Sequence, residues 1–432
     1  MRTALVPAAP WAQVGSTDDV PAGKPSGSRW QRPGIALLAL LALLAAWQPS
    51  LVSHYGAVLA ILVILVSGRR CVIRVPEVLA LVLAAWAYLA VLWSTDATAA
   101  AWMAQLYATA CLVFVATRMV VRTRTALFCV AYGGIAGTLI TAGNLLTGGD
   151  PTQSLIRTSM VELSTRYVQD DSNINYTAYT LLGGMLLATL LLLLRPRTRV
   201  EQVGLVVALT VLGWAVLLAG TRGAVVGAFL GICYLLLSRF APAGMRTAVL
   251  VVTPAAMLVI SIGWYVRFTP ELLWLDAVLG RPTGDLSGRM LLWPEALSSW
   301  ASAPLLGIGP GMFVVTGRLH VGAHNLLLAL GNDVGLIGVL LYLGIFIFAL
   351  AGPLRHTVSA SRRVACLLLV TQLPLWLTGH WETSPVALLT LGLVSMLPVA
   401  LAHPAPVALT QPTPATGHAA PAGIRPAQRA RS

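Results

Sequence analysis

Long apolar runs fill most of this chain from residue 33 to residue 402, and most of them are separated only by short stretches of Arg, Gly, Pro and Ser. A run of about 20 apolar residues suits a helix that crosses a bilayer, because such a helix satisfies its own backbone hydrogen bonds in hydrocarbon. The runs predict about twelve such helices, at 33–49, 51–67, 76–93, 101–117, 126–147, 174–194, 202–219, 223–238, 247–266, 323–350, 364–378 and 385–402. Runs seven and eight are parted only by Gly220-Thr221-Arg222-Gly223, which predicts a tight helical hairpin. The expected fold is all-α and polytopic.

Outside the runs, residues 1–32 form a polar tail too hydrophilic for a signal peptide, and 403–432 a Pro-, Ala- and Thr-rich tail without a core pattern. Two loops are long, 148–173 and 267–322; the second falls between the ninth and tenth helices. Within it Leu292, Ala296 and Trp300 recur at helical spacing, predicting an amphipathic helix that lies on the membrane surface. No tandem repeat is visible.

Composition supports the membrane reading: 57% of the 432 residues are hydrophobic and 10% charged, with a mean hydropathy of +0.80. A water-soluble enzyme carries roughly a quarter charged residues and is excluded. The net charge of +13 does not indicate nucleic acid, because the arginines stand in twos and threes between apolar runs. With both termini in the cytoplasm, 21 of the 28 Lys and Arg lie inside, against only 4 of the 15 acids. That asymmetry follows the positive-inside tendency. Most tryptophans, including Trp93, Trp293, Trp300, Trp376 and Trp381, then fall near the outer interface, where an aromatic belt accounts for them. The five cysteines form no CxxC pair, and neither a disulfide framework nor a zinc site follows.

Seven arginines lie on the outer side: Arg157, Arg166, Arg222, Arg267, Arg281, Arg289 and Arg318. A solvated loop or headgroup contact explains most of them. Arg222 is different, since the tip of a tight hairpin holds it at the membrane edge, where a guanidinium either snorkels or faces an anion. Arg289 follows Ser287-Gly288 at the start of the amphipathic helix, placed to grip a phosphate in forked fashion or simply to begin a wet helix. His324 opens the tenth run, where an imidazole at the water boundary can take a proton from a hydroxyl or be an interfacial residue without chemistry. Gly307-Ile308-Gly309-Pro310-Gly311 looks like a phosphate-binding glycine loop, but no strand precedes it, and it reads as a loop that needs tight turns. Two anion grips and one base on the same side suit displacement of a phosphate leaving group from a lipid-linked donor.

At these residues the chain resembles the O-antigen ligase and polymerase family of bacterial surface polysaccharides. The matching stretches are Asp171-Ser-Asn173, Gly220-Thr-Arg-Gly-Ala224, Ser287-Gly-Arg289 with Trp293, Pro304 to Gly311, His324-Asn-Leu-Leu-Leu, and Asp333-Val-Gly-Leu-Ile-Gly338. The hairpin reads Thr-Arg-Gly where many members have Ser-Arg-Gly, and Asn332 stands where an acid is common. The resemblance implies a GT-C-like transferase domain over 33–402 in the bacterial cytoplasmic membrane, using an undecaprenyl-diphosphate-linked glycan donor and a lipid, protein or glycan acceptor. It implies no cofactor or metal, His324 as base, Arg222 and Arg289 as diphosphate ligands, Asn173 and Asn325 as further substrate contacts, and inversion at the anomeric carbon. A transporter or lipid-linked glycan flippase of similar span number is the competing class, and a non-catalytic partner of a polysaccharide machine a third. Ligase and polymerase share the donor chemistry and are not separated by these residues.

Overall fold

The computed structural model describes residues 31–67, 72–148, 150–153, 165–168, 174–194, 198–241, 244–249, 251–252, 255, 289–356, 359–379 and 381–402. Residues 1–30 and 403–432 of the tails, Asn173, most of the ninth run and residues 267–288 of the second long loop lie outside them. The described elements are α1 (Gln31–Trp47), α2 (Pro49–Val66), α3 (Val75–Leu89, continued by a 3₁₀ turn Ala90–Trp93), α4 (Ala97–Val120), α5 (Arg124–Gly148), α6 (Ile174–Leu193), α7 (Arg199–Ala219) and α8 (Arg222–Leu237). They continue with α9 (Arg289–Ser302), α10 (Met312–Thr316), α11 (Leu326–Arg355), α12 (Ser359–Thr378), α13 (Pro385–Ser395) and α14 (Leu397–Ala402). The architecture is the helical, polytopic one the apolar runs predict. It adds one small feature, an antiparallel ribbon pairing Asp150–Gln153 with Thr165–Val168 between α5 and α6.

Seven of the described helices are long and apolar enough to cross a bilayer, and Arg32–Trp47, Arg222–Leu237 and Pro385–Ser395 are shorter apolar helices. The twelve runs thus do not translate one for one. The run at 364–378 begins earlier, at Ser359, and takes Arg362 and Arg363 into its first turn. The run at 385–402 divides at Met396 into α13 and α14. All eleven residues of α13 are buried. A helix apolar on every side belongs in the middle of a bundle, and α13 is wrapped there by α4, α6, α11 and α12.

Close backbone approach fixes the first helices. α1 and α2 fold back on each other through Gln48 and Pro49, bringing Gly34 beside Ser67. On α5, Gly133, Gly137 and Thr141 recur every four residues and face α1: a Cβ at either glycine would collide with the carbonyl of Ala39 or Leu43, and the Thr141 hydroxyl donates to the Ala46 carbonyl at 2.8 Å. Small residues at this spacing let helices in lipid touch backbone to backbone. Gly137→Leu should therefore force α1 and α5 apart and destabilise the protein by about 1–3 kcal/mol or more. Gly143→Leu on the same helix, where the space is open, should be tolerated. Thermal melting of the two variants in detergent checks the difference.

At the end of the bundle where α3 begins and α4 ends, Arg118 and Glu77 form a buried ion pair (Nε to Oε1, 2.7 Å), and Arg118 also donates to Ser395 at 2.6 Å. The opposite end carries the candidate site.

Candidate functional site

α11 carries the site histidine, and its local structure follows from a few residues. The Asn325 side chain caps the helix, its Oδ1 accepting from the amides of Leu327 and Leu328 at 3.0 and 3.2 Å. His324, just before the cap, is half-buried and has φ +49°, a left-handed conformation costly for a residue with a side chain. Eleven residues after His324 the helix breaks, at Gly335 with φ 68° and ψ −171°. The break exists because the glycine-rich loop crosses the helix there. Leu336 and Ile337 donate their amides outward to the carbonyls of Pro304 and Leu305, while Ile308 donates to the Asn332 carbonyl at 2.7 Å. A Cβ at Gly335 would strike the Leu305 carbonyl, and one at Gly307 would meet the Asn332 carbonyl at 2.6 Å. Gly307, Gly309 and Gly311 all have positive φ. The loop is thus a backbone lock on a broken helix, as its need for tight turns predicts.

Tryptophans complete the lock. Trp86 donates its indole N–H to the Val334 carbonyl (2.9 Å), Trp93 to Gly307 (3.1 Å), Trp300 to Pro304 (3.0 Å) and Trp293 to Ala323 (2.9 Å). Trp93, Trp293 and Trp300 therefore do more than form an interfacial belt. Trp376 packs edge-on against Phe346, and Trp381 is buried against Tyr176 and Tyr179, so these two belong to the interior. An indole with a backbone acceptor in reach gains a hydrogen bond that a lipid-facing one lacks.

α9 forms where the spacing places it, but its apolar stripe faces protein. Leu292 and Ala296 are buried together with Phe313 and Ala323, the Ala296 carbonyl accepts from Asn332 Nδ2 at 2.9 Å, and the Trp300 ring covers Gly331. The expectation of a helix lying on the membrane surface is corrected accordingly. Arg289 is the first residue of this helix, one turn before Trp293, whose indole reaches the residue preceding His324.

Arg222 is placed by a separate corner. Gly220 ends α7 in the left-handed region (φ 61°), Thr221 is extended and buried, and Arg222 begins α8. Thr221 Oγ1 lies 3.3 Å from Asn175 Oδ1 at the start of α6. Gly223 lies against Thr378 at the end of α12 and against Tyr179, whose hydroxyl is 3.2 Å from that of Thr378. The turn is as tight as the sequence demands, yet α7 and α8 do not pair along their lengths; α7 packs on α6 and α8 on α12. The hairpin reading holds for the turn and fails for the helices, because Gly227 and Gly231 fit α8 to Thr371 of α12 instead.

The sequence reading gave no role to two buried acids, Asp333, quoted only as part of a motif, and Glu382. Asp333 accepts from the Gly311 amide (2.9 Å) and from the Tyr107 hydroxyl (3.0 Å). Glu382, in the connection between α12 and α13, is 3% exposed, and its Oε2 has no hydrogen-bond partner. Burial, reinforced by the charge of Asp333, pushes its carboxyl up to about 8. Its neighbour Trp381 packs on Tyr176 and Tyr179, which sets this connection beside the first turns of α6. The available signal was scarcity: only 15 acids occur in 432 residues, and Asp333 lies inside an apolar run.

By these contacts Arg222, the start of α9 and His324 lie at one end of the bundle. Asn325 is there as the helix cap, with its carboxamide oxygen engaged. Among the described residues no group of three or more His, Cys, Asp or Glu is arranged to hold a metal ion.

Residues 206–343 match the family described as O-antigen ligase. The matched stretch contains Arg222, Arg289, the glycine loop, His324 and Asp333, and begins after Asn173. No curated protein matches the chain. The match over residues 206–343 of this helical membrane protein bears out the resemblance read from the motifs and supports a membrane glycan-transfer function of the O-antigen ligase type.

Proposed function

We propose that the protein transfers a glycan from an undecaprenyl-diphosphate-linked donor to an acceptor hydroxyl at the outer face of the bacterial cytoplasmic membrane, with both termini inside. What supports this reading is that the matched family stretch contains Arg222, Arg289 and His324, each at or beside the start of a helix. The acceptor oxygen attacks the anomeric carbon, and its proton passes to the His324 imidazole. The bond from that carbon to the phosphate oxygen breaks, and undecaprenyl diphosphate departs with the electron pair. Attack from the face opposite the leaving group inverts the anomeric centre. Arg222 and Arg289 neutralise the departing diphosphate, which is how guanidiniums provide the electrostatic stabilisation a metal supplies in other transferases. Asn173, close in sequence to Asn175 at the Arg222 corner, is assigned a donor contact, and Asn325 serves His324 as cap as well as neighbour. The catalytic domain spans 33–402, flanked by cytoplasmic tails.

A transporter or flippase would place its substrate groups near the bilayer midplane, commonly on broken helices within internal repeats. Here the glycine loop crosses the break in α11, and the carbonyls of Pro304 and Leu305 take the amides of Leu336 and Ile337. Deleting the gene should cause glycan to accumulate on the lipid carrier outside the membrane, long unattached chains if the acceptor is a lipid or protein and single repeat units if it is a growing glycan. Purified protein in lipid vesicles should transfer glycan from added lipid-linked donor. Accumulation of donor on the inner face, with no transfer by the pure protein, would assign the chain to transport.

A further inference from the structure

We propose that Asp333 is a positioning residue for transfer: its carboxylate fixes the arm Asn325–Val334 against α4 and the glycine loop, and so sets where His324 stands. This rests on the transfer reading above. At Gly335 the helix loses its continuity, so the arm is not aligned by the rest of α11 and must be held from outside. Trp86 holds it through the Val334 carbonyl and Asn332 through its side-chain amide, while Trp293 holds the Ala323 carbonyl just ahead of it. Asp333 alone among these tethers is an acid, and it joins three elements at once.

The chemistry of its partners explains why an acid is there. The Gly311 amide can only donate, and the Tyr107 hydroxyl donates as well, each to a different carboxylate oxygen at 2.9 and 3.0 Å. A carboxamide offers one oxygen and would turn its NH₂ toward one of the two donors. An apolar residue would fill the space but leave the buried amide of Gly311 without an acceptor. Burying a carboxyl at 6% exposure is unfavourable in itself, and packing alone would not select it. What the carboxylate adds is a fixed distance between α4, the loop and the arm. His324, in a strained left-handed conformation at the tip of that arm, depends on such a fixed distance for its reach to the acceptor hydroxyl.

The test uses Tyr107→Phe, Asp333→Asn and the double variant, purified in vesicles with lipid-linked donor and compared with His324→Ala. Asp333→Asn should lower kcat roughly 10–100-fold, the cost of a small misplacement of a reacting group. The donor KM and the melting temperature should stay near wild type. Tyr107→Phe should lower kcat several-fold, and adding it to Asp333→Asn should change little, since that hydrogen bond is already disturbed. If Asp333→Asn does not fold, the kcat of Tyr107→Phe decides. Wild-type kcat in these variants, or losses that only follow a lowered melting temperature, would overturn the positioning role. An active His324→Ala would instead overturn the transfer reading, so the two failures are distinguishable.

Discussion

Replacing His324 by alanine should lower glycan transfer by roughly 10²–10⁴-fold, the range a positioned general base contributes, while the protein inserts and binds donor as before. A sugar hydroxyl is a weak nucleophile at neutral pH and must lose its proton as it attacks. Imidazole is suited to that exchange because its ordinary pKa lies near neutrality. The backbone adds a second argument. His324 has φ +49°, and for a residue with a Cβ that region costs about 1–2 kcal/mol. The conformation persists because the residues on both sides are tied down, Ala323 by the Trp293 indole and Asn325 by its cap on α11. Strain that the surroundings maintain is a recurrent mark of functional positions. His324→Gln, which keeps polarity and much of the volume, should be as inactive as alanine. Transfer within threefold of wild type in both variants, measured on purified protein, would remove the base from the mechanism.

How far the fold could be read in advance depended on whether an apolar residue's partner was local. Helix positions, the tight turn at Gly220 and the turning glycines at 307–311 follow from periodicity and from the φ values that only glycine adopts freely. What each apolar stripe faces does not follow, since Leu292 and Ala296 on α9 suit a lipid surface as well as Phe313 and Ala323. The same ambiguity hid the divergence of α7 and α8, decided by Gly227 and Gly231 against Thr371, some 140 residues further along the chain. Tryptophan placement was legible as a tendency toward the outer end, but its specific use, as donors to carbonyls of residues 304, 307, 323 and 334, rests on long-range contacts. The sequence comparison drew attention to Asn332 as the position where an acid is common. The carboxylate that ties the arm down is next to it, at Asp333, while Asn332 Nδ2 donates to α9. Glu77 and Arg118, one acid and one base among the charges counted as cytoplasmic, are a buried pair, which leaves the asymmetry of the remaining charges intact.

Replacing Arg222 by alanine should cut kcat/KM for the lipid-linked donor by roughly 10²–10³-fold, the loss typical when one fixed stabiliser of a developing negative charge is removed, without a matching rise in the acceptor KM. The expectation comes from how little freedom the corner leaves this side chain. Its backbone is set by left-handed Gly220 and buried Thr221 on one side and by Gly223, pressed on Tyr179 and Thr378, on the other. A guanidinium on so constrained a backbone has only its own side-chain torsions left to order, and such partial preorganisation makes a charge more effective toward a leaving group. It also begins α8, where amide N–H groups at the helix start add positive potential toward the same anion. With one guanidinium gone, the two negative phosphates must separate from the anomeric carbon against less compensation, so kcat and donor affinity fall together. The acceptor, which in the proposed mechanism meets His324 on the α11 arm, should be little affected. Wild-type donor kinetics in Arg222→Ala would mean that the diphosphate is held elsewhere. The base would then stand without its electrostatic counterpart, and the assignment of Arg289 to the same leaving group would need its own variant to survive.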